Sequence, residues 1–314
     1  MADNSSRRRL RLSLSFSGIA PLRESMEIAE AAHTAGLDGL WYCEHVGWHD
    51  AVVPTALLLD RYPGLDVGIV GPAPVSRHGA VLAMEFASLA EIAPGRLRAQ
   101  LGLGGTALMQ RIGGGSNSVA LVREYVESVR GTLSGQRMSG VWAGHLFEDF
   151  QLREPSSVPL DIMAIRPRML ELAARTGDGV SLSTGASIDY IKHAVSKIEK
   201  ILKEIGRPRD TFRINAQAIG SVDKTLAGAV ENAASRLARF SPAVLAILAP
   251  GLDPRRDAER MSIAGTPEDL GARLSEYADA GVDEVALDIH HAPGLLAAAL
   301  GSLTASRDSR TTVL

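Results

Sequence analysis

The sequence predicts an α/β fold, a single (β/α)8 barrel, on three observations. Strand-like and helix-like segments alternate almost to the end of the 314 residues. No shift in composition marks a domain boundary. With 46% hydrophobic and 22% charged residues, the chain can fill one large core. A doubly wound open sheet is the competing architecture, but eight βα units in a chain of 314 residues favour closure.

The elements follow in order. In LRLSLSF, Leu10, Leu12, Leu14 and Phe16 alternate with Arg11, Ser13 and Ser15, the period of a half-buried strand over 10–16. Further strands are expected at 38–43, 65–70, 97–102, 160–164, 179–183, 211–219 and 282–289. Helices are expected at 21–36, 51–60, 77–93, 118–134, 167–177, 187–205, 222–240, 267–280 and 293–303. Ser76 is placed to cap the third helix, which Pro94-Gly95 ends. Thr266-Pro267-Glu268-Asp269 supplies a cap, a proline at the first helical position and acids in the first turn. Two stretches exceed ordinary connections: 135–158, read as an excursion with a small hairpin around FEDFQLR, and 241–265, between strands seven and eight. The run AVLAILAPG in the latter reads as a short helix packed on the barrel, against a lid or subunit contact as the alternative. The folded unit is expected over 10–303, with flexible segments at 1–9 and 304–314.

Several function classes are disfavoured by composition. A formal charge of −3 offers no broad basic surface, so no nucleic-acid partner is expected. Cys43 alone excludes an internal disulfide and a cysteine-rich metal site, and fits a reducing, cytoplasmic setting. No run approaches the roughly 18 apolar residues of a membrane span.

In a barrel of this kind chemistry gathers at the C-terminal ends of the strands. Strand two ends in WYCEHVGWHD, where Glu44, His45, His49 and Asp50 offer acids and bases and Trp48 a flat apolar wall. Gly47 argues against a metal-ligating helix across His45 and His49, so no metal is expected; a structural role for His45 stays open. Strand three ends in VGIVGPAPVSRHG, an abrupt turn at Gly71. Strand four ends in LGLGGTALMQRIGGG, which permits close backbone approach but lacks the lysine of a phosphate loop. Ser183, Thr184, Gly185 and Ser187 precede a helix beside Arg166 and Arg168. This is a candidate anion site, although Ser187 serving only as an N-cap fits equally. Asp288, His290 and His291 follow strand eight.

Five stretches, in this order, resemble the luciferase-like superfamily of flavin- and deazaflavin-dependent barrel enzymes: EAAHTAGLDGLWYCEH, PVSRHGAVLAMEFASLAEIAPGRLRAQLGLG, PRMLELAARTGDGV with SLSTG, and AGTPEDLGARLSEYADAGVDEVALD. The chain looks closest to the branch that uses coenzyme F420, which includes methylenetetrahydromethanopterin reductase-like proteins. The resemblance implies a ring bound near the ends of strands two to four, backed by a non-proline cis peptide near Val70-Gly71, with Gly104 close by. It implies phosphate binding at Ile165, Arg166, Ser183, Thr184 and Gly185. Where many relatives carry a carboxylate after strand four, this chain has Gly105 and then Thr106. Relatives also often have glycine in place of Ile165 and Arg166.

The first departure moves proton transfer to Glu44, His45, His49 or His291. The expected activity is hydride transfer from reduced F420 to a C=C or C=N bond of a small or natural-product-type substrate. His45 is the expected catalytic residue with Glu44 orienting it or acting directly, and Trp48, His49 and His291 are the expected substrate contacts. An FMN-dependent monooxygenase and a non-catalytic ligand-binding barrel are the alternatives. A homodimer is also implied, since relatives are commonly dimers.

Overall fold

The computed structural model describes residues 9–104, 109–114 and 118–309. Eight parallel strands close into a barrel: β1 (Arg11–Ser17), β2 (Gly39–Cys43), β3 (Asp66–Val70), β4 (Leu97–Leu101), β7 (Leu160–Ala164), β8 (Gly179–Leu182), β9 (Arg213–Val222) and β11 (Glu284–His291). Each coincides with an expected strand to within a few residues. Around them run α1 (Leu22–Thr34), α2 (Val52–Arg61), α3 (Gly79–Ile92), α4 (Val119–Leu133), α5 (Pro167–Thr176), α6 (Ile188–Glu204), α7 (Leu226–Leu237), α8 (Pro242–Leu248), α9 (Leu270–Asp279) and α10 (Leu296–Ser309).

Strand alternation sorts the side chains into two sets. Leu12, Leu14, Leu40, Tyr42, Val67, Ile69, Leu160, Ile162, Val285 and Leu287 face the helices and are fully buried. Burying each large apolar side chain stabilises the barrel by about 1.5–3 kcal/mol. The other set fills the interior. From Val70 the ladder runs through Gln100, Asp161 and Gly179 to Arg213. The other way round, Val67 leads through Leu40, Leu14 and Leu287 to Ala218, which brings Ser221 into line with Val70. The offset between Arg213 and Ser221 is the shear of about 8 expected of such a barrel. Gln217, midway between them, therefore sits at the height of Val70 on the diametrically opposite strand. Ser15, Val70, Met163 and Gln217 make one interior layer, and Trp41, Gln100, Ser181 and Ala286 the layer beneath.

The 135–158 stretch contains the expected hairpin, β5 (Met138–Trp142) with β6 (His145–Phe150). The 241–265 stretch holds α8, whose Leu245 and Leu248 are buried on the barrel, as the helix reading expected. It also holds an unexpected strand, β10 (Ile263–Gly265), paired with Gly220–Val222 of β9 above the point where β8 ends.

Four expectations need correction. The cap of α3 is His78, whose ring accepts the Ala80 N–H, because the Ser76 hydroxyl is bound to Glu44 and the Ala73 carbonyl. Helix α9 starts later than expected, at Leu270, and Asp269 instead turns its carboxylate back to the Thr266 N–H and hydroxyl. Residues 304–309, expected in a flexible tail, continue α10 to Ser309, and Arg307 is buried against Asp38 and the Gly36 carbonyl. Arg9, expected in the flexible start, is ion-paired with Asp38. No described helix is long and apolar enough to cross a membrane.

Candidate active site

At the C-terminal end of the barrel, β1 and β2 are joined by two histidines. The Gly18 N–H donates to His45 Nδ1 at 3.2 Å, and the Cys43 carbonyl lies 3.3 Å from the same nitrogen. His49 Nδ1–H donates to the Gly18 carbonyl at 2.7 Å. A side chain at Gly18 would lie 2.5 Å from the Cys43 carbonyl, so only glycine allows this approach. His45 Nδ1 thus has a donor to accept from when neutral and an acceptor to donate to when protonated. The ring can change charge without losing its anchor, while Nε2 has no partner among the described residues. The anchor through Nδ1 gives His45 a structural role and leaves Nε2 open.

Glu44 is not where the sequence reading put it. The alternation that turns Trp41 and Cys43 inward turns Glu44 out toward α3, where it is buried at 5% side-chain exposure. Its Oε1 accepts from the Ser76 hydroxyl at 3.1 Å, and its Oε2 accepts from Arg77 Nε and Nη2 at 3.1 and 2.6 Å. Arg77 also bonds Glu85 at 2.7 Å. Burial alone would lower the Arg77 pKa; the hydrogen bond and charge of Glu44, with Glu85 and Asp50, outweigh it and raise the guanidinium above its usual range. Glu44 therefore fixes the β2 end and neither contacts nor orients the His45 ring.

Cys43 faces the interior, 3.5 Å from the Ser15 hydroxyl. Burial pushes its thiol up to about 12, so it stays protonated. Trp48 is 55% exposed on the loop and Asp50 caps α2 through the Val52 and Val53 N–H groups.

The Val70-Gly71 turn is present, but every described peptide bond is trans. The turn is made by Gly71 at φ +99°, its N–H bonded to the Gln100 carbonyl, while the Val70 carbonyl accepts the Glu44 N–H. Gly104 has φ +70°, and a Cβ there would lie 2.4 Å from Met109. The Gly105 and Thr106 departure lies outside the described residues.

Across the mouth, Ile165 and Arg166 follow β7 and Ser183, Thr184 and Gly185 follow β8, leading into α5 and α6. Arg166 and Arg168 are exposed and form no ion pair among the described residues, and the Ser183 and Thr184 hydroxyls make no hydrogen bond among them. Gly185 takes φ +86°, with Leu245 of α8 and Leu237 of α7 close to where a Cβ would point. Ser187 caps α6 by accepting the Tyr190 N–H and donates to the Leu248 carbonyl, so its hydroxyl is committed. Two helix N-termini, two guanidinium groups and two hydroxyls without a partner among the described residues thus lie at these neighbouring strand ends.

On the eighth strand, Asp288 is paired with Arg236 of α7, and His291 lies half-buried against the Ala292 carbonyl. His290 is exposed. Among the described residues no three His, Cys, Asp or Glu side chains converge to hold a metal ion.

The sequence reading missed the polar interior. Gln100 is fully buried and accepts from Gln217 Nε2 at 3.2 Å; Ser181 and Asn215 lie lower on β8 and β9. At the opposite end of the barrel, Glu284 accepts from the Ser13 hydroxyl, Trp41 Nε1 and Arg213, and Arg98 bonds Asp161 at 2.5 Å. The signal was present: LRAQL and RINAQ alternate polar with apolar residues, so whole faces of β4 and β9 are polar.

A family profile described as luciferase-like monooxygenase matches residues 9–284. Over 295 residues the chain is 26% identical to a 5,10-methylenetetrahydromethanopterin reductase of Methanolobus tindarius, covering 84% of this chain and 90% of the relative. It is 27% identical to an F420-dependent glucose-6-phosphate dehydrogenase of Kineococcus radiotolerans, covering 85% and 86%. An F420-dependent secondary alcohol dehydrogenase, solved with an F420–acetone adduct, has the same fold at a TM-score of 0.80 and 18% identity, covering 94% and 97% of the two chains.

Proposed function

Because this chain belongs to the luciferase-like monooxygenase family, we propose that it is an F420H2-dependent reductase acting on a C=C or C=N bond of a small or natural-product-type molecule. The observation that carries the reading is the cradle of unpaired Arg166, Ser183 and Thr184 with Gly185, set across the mouth from a histidine free to move a proton. The residues fit a phosphorylated ring cofactor. The cradle takes the phosphate, and the glycine turns at Gly71 and Gly104 with Val70 leave a smooth wall for a flat ring. A reduced deazaflavin supplies a hydride to an electrophilic double bond.

The chain's own groups do the rest. His45 enters as the imidazolium with Nδ1–H on the Cys43 carbonyl; Nε2–H gives its proton to the developing carbanion or amine and leaves a neutral ring whose Nδ1–H keeps that anchor. Glu44 and Arg77 hold the strand end that carries His45. Trp48, His49 and His291 border the space left for the substrate. The exposed Val53, Leu57, Val81, Met84 and Ile92 give α2 and α3 an apolar outer face, which supports a homodimer through these helices. Sedimentation of the Val81→Glu variant as a monomer would bear this out.

Titration of the purified protein with F420 and with FMN tests the cofactor. The reading expects F420 to bind and FMN not to compete. Tight FMN binding without F420 binding replaces it with an FMN-dependent monooxygenase.

A further inference from the structure

We propose that Gln217, held by Gln100, is the residue that selects the hydride acceptor, and that it recognises a neutral hydrogen-bonding group such as a carbonyl, amide or lactam. The inference rests on the cofactor reading, since it places the ring against Val70-Gly71. Ladder registers put Gln217 at the height of Val70 on the diametrically opposite strand. A ring lying on the β3 turn would then rest above this layer, with Gln217 in the floor under the acceptor.

The Gln217 amide is built for contact. One Nε2–H is committed to Gln100 Oε1 at 3.2 Å, which fixes the side chain, while the second Nε2–H, a donor for a carbonyl, and Oε1, an acceptor for an amide N–H, meet no partner among the described residues. The residue is 7% exposed. Its register neighbour on β11 is Ala286, too short to cover it. Beneath it Gln100 Nε2, Ser181 Oγ and both amide atoms of Asn215 are buried without a partner. Together they make a floor of amide and hydroxyl groups under Gln217 on β4, β8 and β9.

Charge decides the class of that group. The arginines pointing into the barrel are all committed: Arg11 to Asp66, Arg98 to Asp161 and Arg213 to Glu284. What remains unpaired around Gln217 is amide and hydroxyl, which offers a neutral carbonyl or lactam full satisfaction and a carboxylate no countercharge.

Side-chain amide resonances of the cofactor-free protein, titrated with δ-valerolactam and separately with propionate, test the site without relying on F420. The expected result is that the Gln217 and Gln100 amide protons shift with the lactam and stay put with propionate. Unmoved resonances, or equal shifts with propionate, overturn the proposal. In F420H2 turnover with cyclohexenone, Gln217→Leu should raise KM about tenfold, the value of one hydrogen bond, with F420 affinity unchanged. An unchanged KM, or a parallel loss of F420 affinity, contradicts it. Gln217→Met, closer in shape, gives the same readings should the leucine variant unfold. If the wild-type protein binds no F420, the cofactor reading falls and the lactam shifts alone decide the subsite.

Discussion

At the N-terminal end of the barrel each inward-pointing arginine meets a carboxylate; at the C-terminal end Arg166 and Arg168 meet none among the described residues. Glu284 shows what the lower end is for. Burial would raise its carboxyl, but the Arg213 charge, with bonds from Ser13 and Trp41, holds it below the usual range. Asp161 goes the other way: burial lifts it to about 6 in spite of Arg98 and Arg213. The lower end spends its polar groups on one another and closes the barrel. The upper end leaves hydroxyls, guanidinium groups and one imidazole nitrogen unspent, and unspent groups are what a ligand can use.

Breaking the closed end should have the largest effect. Glu284→Ala strips Arg213, Ser13 and Trp41 of their shared acceptor, and denaturant unfolding should show a loss of about 3–5 kcal/mol. A loss below about 1 kcal/mol would mean the network is not structural. At the open end, Glu44→Gln and Arg77→Met should each cost about 2–3 kcal/mol and slow turnover alike. The double variant should add little, because the two residues act as one pair; additive effects would detach Glu44 from Arg77 and restore a direct role. His45→Asn should slow turnover about a hundredfold while F420 affinity and the melting temperature hold. Unchanged turnover removes His45 from proton transfer.

The smallest effect is a pH dependence. With a folded pKa of about 6 against an unfolded one of about 3.9, Asp161 holds a proton in the folded chain that the unfolded chain has released. Its stabilising contribution is complete below pH about 4 and is lost as pH rises through about 6. Asp161→Asn should remove that slope from urea midpoints measured across the window. An unaltered slope would assign it to other groups.

Much of this architecture was legible in the sequence, and the reason is physical. Eight strands with apolar residues at every second position, such as Leu12, Leu14 and Phe16, announce a face that must be buried. The place of Ser183, Thr184 and Gly185 was legible because they sit where strand gives way to helix. Glu44 was misread because residue type does not reveal facing: one step past the inward Cys43, it points out to Arg77. Ser76 was misread as a cap because a hydroxyl's partner 32 residues away is invisible locally. Strand β10 was missed because Ile263–Gly265 is too short to carry a period. The polar interior was written in RINAQ, yet alternation was read there only for its apolar half.

The account stands on a ligand entering the open end and lying on Val70-Gly71, above the layer that holds Gln217. Diffraction from crystals grown with F420 measures this directly. The account predicts the ring against the β3 turn, its phosphate on Arg166 and the Ser183–Gly185 segment, and His45 Nε2 facing the space beside it. A cofactor bound anywhere else on the chain, or absent at saturating concentration, would contradict it.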